Sequence, residues 1–287
     1  MEELVANIGF GLITGATFAL PAVGLTLMYG VSNFLNFAYG QWITVAPLIV
    51  FSLAGFMPVL LAIVMAVLVV AVVGPMINAA VFRPLAQRRA LTLLVTSIGL
   101  SFALQNLLQL IWGSDIRGID VPAALREGRQ MWWFRLTVLD LVVLAISVVT
   151  LALVAFMLAR TDLGMMIRAS AENRDLAMVT GIKVERIAAI TWAVASALAA
   201  LGGILFGLRS AFGPSLGLVL MLIIASAMIL GGLGSAAGAV VGAFVIGISS
   251  DAMATFDWFD PALKPAVAFA VLAAVLIARP NGLFGRG

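Results

Sequence analysis

The chain has 287 residues, of which 63% are hydrophobic and only 10% are charged, whereas soluble domains carry about 25% charged residues. This composition excludes an ordinary soluble domain and predicts a protein that crosses a membrane several times. Histidine and cysteine are both absent, which excludes disulfides, thiolate or imidazole metal ligands, and Cys or His catalysis. The net charge is +3, but the basic residues fall in short gaps between apolar runs, so nucleic-acid binding gains no support.

Nine apolar runs predict an all-α fold, a polytopic transmembrane helix bundle with about eight or nine membrane segments. Crossing about 30 Å of hydrocarbon takes about 20 residues, and some runs are shorter. The seventh and eighth are short enough to be half-helices that meet in the bilayer, which would leave eight crossings. The first run lacks the basic flank of a signal peptide and is too long for one, so it is interpreted as a retained helix. The runs lie at 5–30, 40–54, 57–80, 91–112, 138–158, 187–208, 217–231, 235–250 and 262–279.

The distribution of Lys and Arg predicts the orientation of these segments. With the N-terminus outside, ten of the sixteen basic residues fall on the inner side, as the positive-inside rule requires. Those on the inner side are Arg83, Arg88, Arg89, Arg160, Arg168, Arg174, Lys183, Arg186, Arg279 and Arg286. Those on the outer side are Arg117, Arg126, Arg129, Arg135, Arg209 and Lys264.

Two connecting loops are longer than a turn. The outer loop, 113–137, carries Trp132 and Trp133 and follows Trp112; because indoles prefer the headgroup zone, it is either an interfacial anchor or a docking site for an external partner. The inner loop, 159–186, mixes apolar residues with both signs of charge, which predicts short amphipathic helices that Gly181 ends. Taken alone, such a loop is most often a solvated surface.

The stretch from Gly24 to Gln41 places glycines and polar amides between two apolar runs, which predicts a broken membrane segment. Unpaired backbone groups cost several kcal/mol in hydrocarbon, so such a segment must lie against protein or a watery cavity. Asn33 and Asn36 would share a face if this segment were helical. A neutral polar lining suits a zwitterionic or uncharged substrate, although hydrogen bonding between helices is an equal alternative. The candidate substrate-pathway residues are Tyr29, Ser32, Asn33, Asn36, Tyr39 and Gln41.

The second half of the chain has similar interruptions, at 213–217 and 231–238. Paired interruptions in two halves are typical of transporters with a binding site near the bilayer midplane. Glycines also recur four residues apart, which favours close helix packing, at Gly11/Gly15, Gly203/Gly207, Gly234/Gly238 and Gly238/Gly242.

Charged residues within the apolar runs are nearly absent. Asp140, Asp251 and Lys264 all fall at predicted helix ends. This argues against a proton- or sodium-driven carrier, which usually needs ionisable groups near the midplane. An intramembrane enzyme is also disfavoured, because no histidine and no pair of aspartates lies well inside the runs.

Three blocks of sequence together resemble the permeases of ATP-binding-cassette importers for branched-chain amino acids, the LivH-type group. The resemblance covers nearly the whole chain in the right order. The blocks are 24–31 (GLTLMYGV) with 36–40 (NFAYG), 168–173 (RASAEN) with 199–205 (AALGGIL), and 230–242 (LGGLGSAAGAVVG) with the tail 279–285 (RPNGLFG).

The resemblance implies one transmembrane permease domain over residues 1–287, with 113–137 as a periplasmic loop and 159–186 as a cytoplasmic coupling loop. It implies a bacterial inner-membrane location, with the N-terminus periplasmic and the C-terminus cytoplasmic. The implied partners, besides membrane lipid, are a second related permease of LivM type, two ATPase subunits and a periplasmic substrate-binding protein. The implied coupling residues, which would contact an ATPase, are Arg168, Glu172, Asn173 and Gly181.

No cofactor is expected in this chain, because it lacks the Gly-x-x-x-x-Gly-Lys-Ser/Thr loop and ATP with Mg would belong to the partner ATPases. Members of the LivH-type group commonly have histidine and then an acid where this chain has Tyr39 and Gln41. The exact substrate therefore stays open, and permeases for urea or short amides remain alternatives within the same group.

Overall fold

The computed structural model describes residues 2–285 except 87, 123–124, 126–127, 132–133, 257–259 and 261–262. Trp132 and Trp133 of the outer loop lie outside the described residues. Within the described part, the chain forms eleven α-helices and one two-stranded β-hairpin, which confirms the all-α fold class. The helices are α1 Glu2–Ser32, α2 Tyr39–Leu53, α3 Val59–Ile77, α4 Ala90–Trp112, α5 Val138–Arg160, α6 Asp162–Glu172, α7 Arg174–Val179, α8 Val184–Arg209, α9 Leu216–Gly231, α10 Ala236–Ala252 and α11 Lys264–Ala278.

Each of the nine predicted apolar runs corresponds to a helix. Among the described residues, six segments are long and apolar enough to cross a membrane, and three apolar helices are shorter. The six long segments are Ala6–Ser32, Val59–Leu85, Ala90–Trp112, Val138–Arg160, Val184–Arg209 and Ala236–Thr255. The shorter helices are α2, α9 and α11.

The idea that the seventh and eighth runs are half-helices meeting end to end is wrong. The eighth run is full-length, and it packs side by side with α9 as an antiparallel hairpin. Gly231 lies against Gly238, and Gly242 lies against Ala227, so closely that a Cβ on either glycine of α10 would overlap the backbone of α9. Gly234 takes no part in this contact, since it lies in the turn between the helices with φ +82°.

Helix α1 lies at the centre of the bundle and is largely buried. It packs along α10 where Gly11 and Gly15 face the Ile248 and Phe244 backbone, and it packs along α8 where Gly202 faces Pro21. The predicted pair Gly11/Gly15 therefore does allow close packing of two helices. In contrast, α3, α4 and α5 expose most of their apolar side chains, as helices that face lipid or another subunit do.

Helix α3 changes character at its end. Pro75 has no N–H to donate to the preceding turn, and the chain continues as a π-helix, Asn78–Phe82, and then as a 3₁₀ turn, Arg83–Leu85. The Asn78 N–H reaches two carbonyls, those of Gly74 and Pro75. The widened turn carries the segment from the bilayer into the basic stretch at its end.

The outer loop contains a hairpin that sequence analysis missed. Strands β1, Gly128–Met131, and β2, Phe134–Thr137, pair antiparallel with Gly128 opposite Thr137.

Earlier in the outer loop, Arg117 exchanges backbone hydrogen bonds of 2.8 and 2.9 Å with Phe212. Its guanidinium also lies 4.8 Å from the centre of the Phe51 ring, a cation–π contact.

Side chains from distant segments meet at the two ends of the bundle. At one end, Val31 of α1 packs with Ile167 of α6 and Ile187 of α8; we call this the inner end. At the other end, Asn7, Asp140 and Lys264 line a common cavity; we call this the outer end. The names follow the orientation that the Lys and Arg distribution predicts.

Substitution of Gly203 by alanine should destabilise the bundle, because a Cβ there would overlap the Ile43 backbone of α2. Such overpacking costs about 1–3 kcal/mol. Gly99, in α4, has open space around it, so Gly99→Ala should be neutral or stabilising by up to about 1 kcal/mol through helix propensity. Thermal unfolding of the two purified variants in one detergent measures the difference. Equal melting temperatures would show that α2 and α8 are not held this closely.

Candidate functional site

The first candidate region is the link between α1 and α2, residues 33–38. The predicted interruption begins later than Gly24, because α1 continues unbroken to Ser32 and the chain turns at Asn33, which has φ +55°. Side chains then bind the backbone that has left the helix. Ser97 accepts from the Phe37 N–H at 3.1 Å, and the Asn36 side chain accepts from the Ala38 N–H at 3.0 Å. The link thus meets the requirement that buried peptide groups be hydrogen-bonded.

Helix α2 begins deep inside the bundle. The Tyr39 hydroxyl is within hydrogen-bond distance of the Pro21 carbonyl, 2.9 Å, and of the Ala195 carbonyl, 3.0 Å. Pro21 lies eleven residues before the inner end of α1, and Ala195 lies eleven residues after the start of α8. Both distances correspond to about 17 Å along a helix. Residues 33–38 therefore carry the chain from the inner end back to mid-depth.

The second half of the chain repeats this arrangement in the opposite direction. A long helix, α8, is followed by the link 210–215 and then by the short helix α9. The first turn of α9 meets the first turn of α2, where Gly217 and Gly40 pack backbone to backbone. The Thr44 hydroxyl accepts from the Gly217 N–H at 2.7 Å. The two interruptions noted in the sequence thus contact each other well inside the bundle.

The six candidate pathway residues do not line one common cavity. Asn36, Tyr39 and Gln41 are each at most 1% exposed in the isolated chain. Asn36 also donates to the Met28 sulfur at 3.4 Å, and Gln41 donates to the Ser101 hydroxyl at 3.0 Å. Because the link is not helical, Asn33 and Asn36 do not share a helix face; Asn33 is exposed and Asn36 is buried. This burial makes Asn36, Tyr39 and Gln41 packing residues in the single chain, and their role in a pathway stays a prediction.

Tyr29 and Ser32 lie near the inner end of α1, both half-buried. Ser32 accepts a 3.0 Å hydrogen bond from the Trp192 indole. It also lines a small cavity of about 290 Å³ with Arg83, Arg174 and Glu185. Arg83 and Glu185 form an ion pair there. Of the six pathway candidates, Ser32 is the one that reaches this inner cavity.

The inner loop forms the two short helices that the sequence predicts. Thr161 caps α6 by accepting from the Gly164 N–H at 3.2 Å, and Asn173 caps α7 by accepting from the Leu176 N–H at 2.9 Å. Gly181, with φ +86°, ends α7 in a Schellman motif, in which the Ile182 N–H reaches the Ala177 carbonyl at 3.0 Å. Asn173 and Gly181 therefore fix the shape of the loop.

The other two coupling candidates differ in their surroundings. The Arg168 guanidinium donates to the Leu158 carbonyl near the end of α5, which joins α6 to that helix. Glu172 is exposed at the end of α6. Arg168, Asn173 and Gly181 hold the loop in place, and contact with another subunit stays a prediction for all four coupling candidates.

A charged cavity at the outer end was not found from the sequence. It has a volume of about 940 Å³ and contains two ion pairs, Asp140 with Arg209 and Asp251 with Lys264, at 2.8 and 2.7 Å. Asp140, Asp251 and Lys264 were placed correctly at helix ends, but nothing in their spacing indicated pairing. Within the described residues, no group of three or more acidic, His or Cys side chains comes together to hold a metal ion.

Long apolar helices, short apolar helices that begin at mid-depth and short capped helices at one end are typical of membrane transport proteins. Residues 7–277 match the family described as the branched-chain amino acid transport system, permease component. The chain belongs to this family, and it is therefore a multi-pass membrane component of a transport system.

Several curated relatives match over nearly their whole length. The high-affinity branched-chain amino acid permease LivH of Escherichia coli is 28% identical over 96% of this chain and 94% of its own. BraD of Pseudomonas aeruginosa is 29% identical over 96% and 94%, and the probable LivH of Methanocaldococcus jannaschii is 29% identical over 96% and 90%. The solved PsaBC of Streptococcus pneumoniae, in complex with Fab, shares the fold with a TM-score of 0.53 at 11% identity, over 96% of this chain and 93% of that one.

Substitution of Asn36 by leucine should destabilise the link and impair transport. It leaves the buried Ala38 N–H without its acceptor, at a cost of about 1–3 kcal/mol. Asn33→Gly is the matched control, because glycine tolerates the positive φ and Asn33 is exposed. Melting temperature and solute uptake of the two variants, at equal expression, test this. Normal stability of Asn36→Leu would show that the link does not depend on Asn36.

Proposed function

We propose that the chain is the membrane-spanning permease of an ATP-binding-cassette importer that moves branched-chain or related amino acids across the bacterial inner membrane. Its family and its relatives LivH and BraD, which are branched-chain amino acid permeases, support this substrate class. The observation that carries the proposal is the pair α6 and α7, which stands at the inner end and presents apolar side chains between charged ones. The partners proposed are a second related permease, two ATPase subunits that bind ATP and Mg, and a substrate-binding protein on the outer side.

The surface of α7 is suited to a groove in another protein. Leu176, Met178 and Val179 are 60, 51 and 85% exposed, although they lie outside the apolar membrane segments. Arg174 and Asp175 begin the same helix and supply both signs of charge. An apolar centre with a charged rim is the usual composition of a protein interface, in which the apolar side chains contribute affinity and the charges fix orientation.

The packing of α6 offers a route by which movement of an ATPase would reach the bundle. Ile167 of α6 contacts Val31 of α1 and Ile187 of α8, and Gly164 lies directly against the Met157 and Leu158 carbonyls of α5. Helices α1 and α8 are the two long helices that hold the short helices α2 and α9. A displacement of α6 would therefore tilt the elements that meet at mid-depth, which is what alternating access requires.

The mostly uncharged interior agrees with a zwitterionic or neutral solute. Among the described residues, the charged side chains of the membrane segments lie at helix ends, and the interior polar groups are hydroxyls and amides. With no charge near mid-depth to couple to an ion gradient, energy is expected from the partner ATPases. The orientation proposed is an N-terminus in the periplasm and a C-terminus in the cytoplasm.

Uptake measurements test the proposal directly. The chain is purified with its co-eluting subunits, reconstituted in liposomes, and supplied with the binding protein and radiolabelled L-leucine. Uptake should require ATP on the side of the membrane that the ATPase subunits face. It should persist when the proton and sodium gradients are collapsed. Competition by valine and isoleucine but not by urea or acetamide supports the amino acid class. Uptake driven by an ion gradient without ATPase subunits would refute the proposal in favour of a secondary carrier.

Placing a charge on the exposed surface of α7 should weaken attachment of the ATPases. Val179→Asp puts a carboxylate where an apolar contact is proposed, and a loss of about 1.4 kcal/mol lowers affinity tenfold. Ile116→Asp is the control, since Ile116 is 79% exposed at the opposite end. Recovery of ATPase subunits on affinity-tagged permease gives the comparison. Equal recovery with both variants would place the ATPases elsewhere.

A further inference from the structure

The outer cavity is lined by residues of six helices and extends into the bundle. Along α1 it reaches from Asn7 to Phe18, eleven residues or about 17 Å of helix. Its deeper wall is apolar and includes Phe18, Phe206, Leu220 and Ile223. Its charged groups come from α5, α8, α10 and α11, at the helix ends that form the rim. The cavity therefore combines a charged rim with an apolar floor.

The carboxylates of the rim already have their hydrogen bonds. One oxygen of Asp140 accepts from Arg209 at 2.8 Å, and the other accepts from the Thr137 N–H and hydroxyl at 3.1 and 2.7 Å. One oxygen of Asp251 accepts from Lys264 at 2.7 Å, and the other accepts from the Thr14 hydroxyl at 2.6 Å. Neither acid is left with an oxygen that lacks a donor.

The cations of the rim retain unused donors. In the described part of the chain, the Arg209 guanidinium makes its hydrogen bond through Nε alone, so both Nη groups remain available at the cavity wall. Lys264 makes one bond with three N–H donors. The Arg209 side chain is only 19% exposed. Although the four charges cancel, the remaining hydrogen-bonding capacity consists of positively charged donors, which favours an anionic group.

We infer that this cavity binds the α-carboxylate of an amino acid, held by the Nη groups of Arg209, with the aliphatic side chain on the apolar floor. The planar guanidinium matches a carboxylate in two-point geometry. The site would receive the substrate at the outer end, before it reaches the mid-depth contact of α2 and α9. The inference rests on the proposed function, and it adds the residue that recognises the substrate.

The experiment compares two substitutions that break the same ion pair. Arg209→Gln removes the Nη donors, whereas Asp140→Asn leaves them in place. The purified permease with its co-eluting subunits is placed in phosphatidylcholine nanodiscs, and saturation-transfer NMR measures binding of millimolar L-leucine, with L-leucinamide as the probe that lacks a carboxylate. This method detects weak binding, so a low affinity does not conceal the site.

The expected result is that wild type and Asp140→Asn bind L-leucine, whereas Arg209→Gln binds it at least about tenfold more weakly, the usual effect of losing charged hydrogen bonds. L-leucinamide should bind weakly and equally to all three. If Arg209→Gln fails to assemble, Arg209→Lys replaces it and should also weaken binding, because an ammonium lacks the planar pair of donors that holds a carboxylate at two points.

Three outcomes would overturn the inference: no L-leucine signal in wild type, equal losses in Arg209→Gln and Asp140→Asn, or loss of the signal when phosphatidylglycerol replaces phosphatidylcholine. The second would limit Arg209 to an ion pair, and the third would assign it to an anionic lipid headgroup. If wild type imports leucine but binding does not depend on Arg209, the inference fails and the proposed function stands. If no ATP-driven import is measured, the proposed function itself is wrong.

Discussion

A peptide N–H that leaves a helix inside hydrocarbon needs another acceptor, and the residues that link α1 to α2 meet this need with side chains. Asn36 and Ser97 accept from Ala38 and Phe37, so six residues of non-helical backbone can lie against the bundle. This allows α2 to begin about 17 Å from the inner end. The contact of Gly40 with Gly217 follows from that starting depth. The hydrogen bonds of the link and the Thr44–Gly217 hydrogen bond together hold α2 against α9.

The distribution of charge follows from the same requirement. The polar groups of the interior are uncharged, because an unpaired charge there would be costly. The four buried or half-buried charges of the outer end occur as ion pairs at helix termini. Each pair also joins two helices: Asp140 of α5 pairs with Arg209 of α8, and Asp251 of α10 pairs with Lys264 of α11. The pairs therefore close the outer end of the bundle and shape the cavity within it. The proposed binding of a carboxylate there would use a side chain that also joins two helices.

Much of the architecture could be predicted from the sequence, because an apolar run of sufficient length has few alternatives to a helix. The nine apolar helices, the short helices of the inner loop, the stop at Gly181 and the packing of Gly11 and Gly15 are all seen. The interruption was placed too early, since Gly24 serves close contact with Tyr39 and α8 and does not weaken the helix. The hairpin at Gly128–Thr137 escaped detection because four-residue strands have almost no pattern. The ion pairs escaped because their partners lie 69 and 13 residues apart, and such pairing depends on tertiary structure.

The caps at both ends of α7 affect how tightly another protein can bind this helix. A helix of six residues is unstable in water by itself, because nucleation of the first turn is unfavourable. Here Asn173 closes one end, Gly181 closes the other, and α6 anchors the preceding turn. A protein that binds this element meets a conformation already formed and loses little chain entropy on binding. A free peptide with the sequence of 162–181 would have to order itself first, and it would compete poorly with the intact chain.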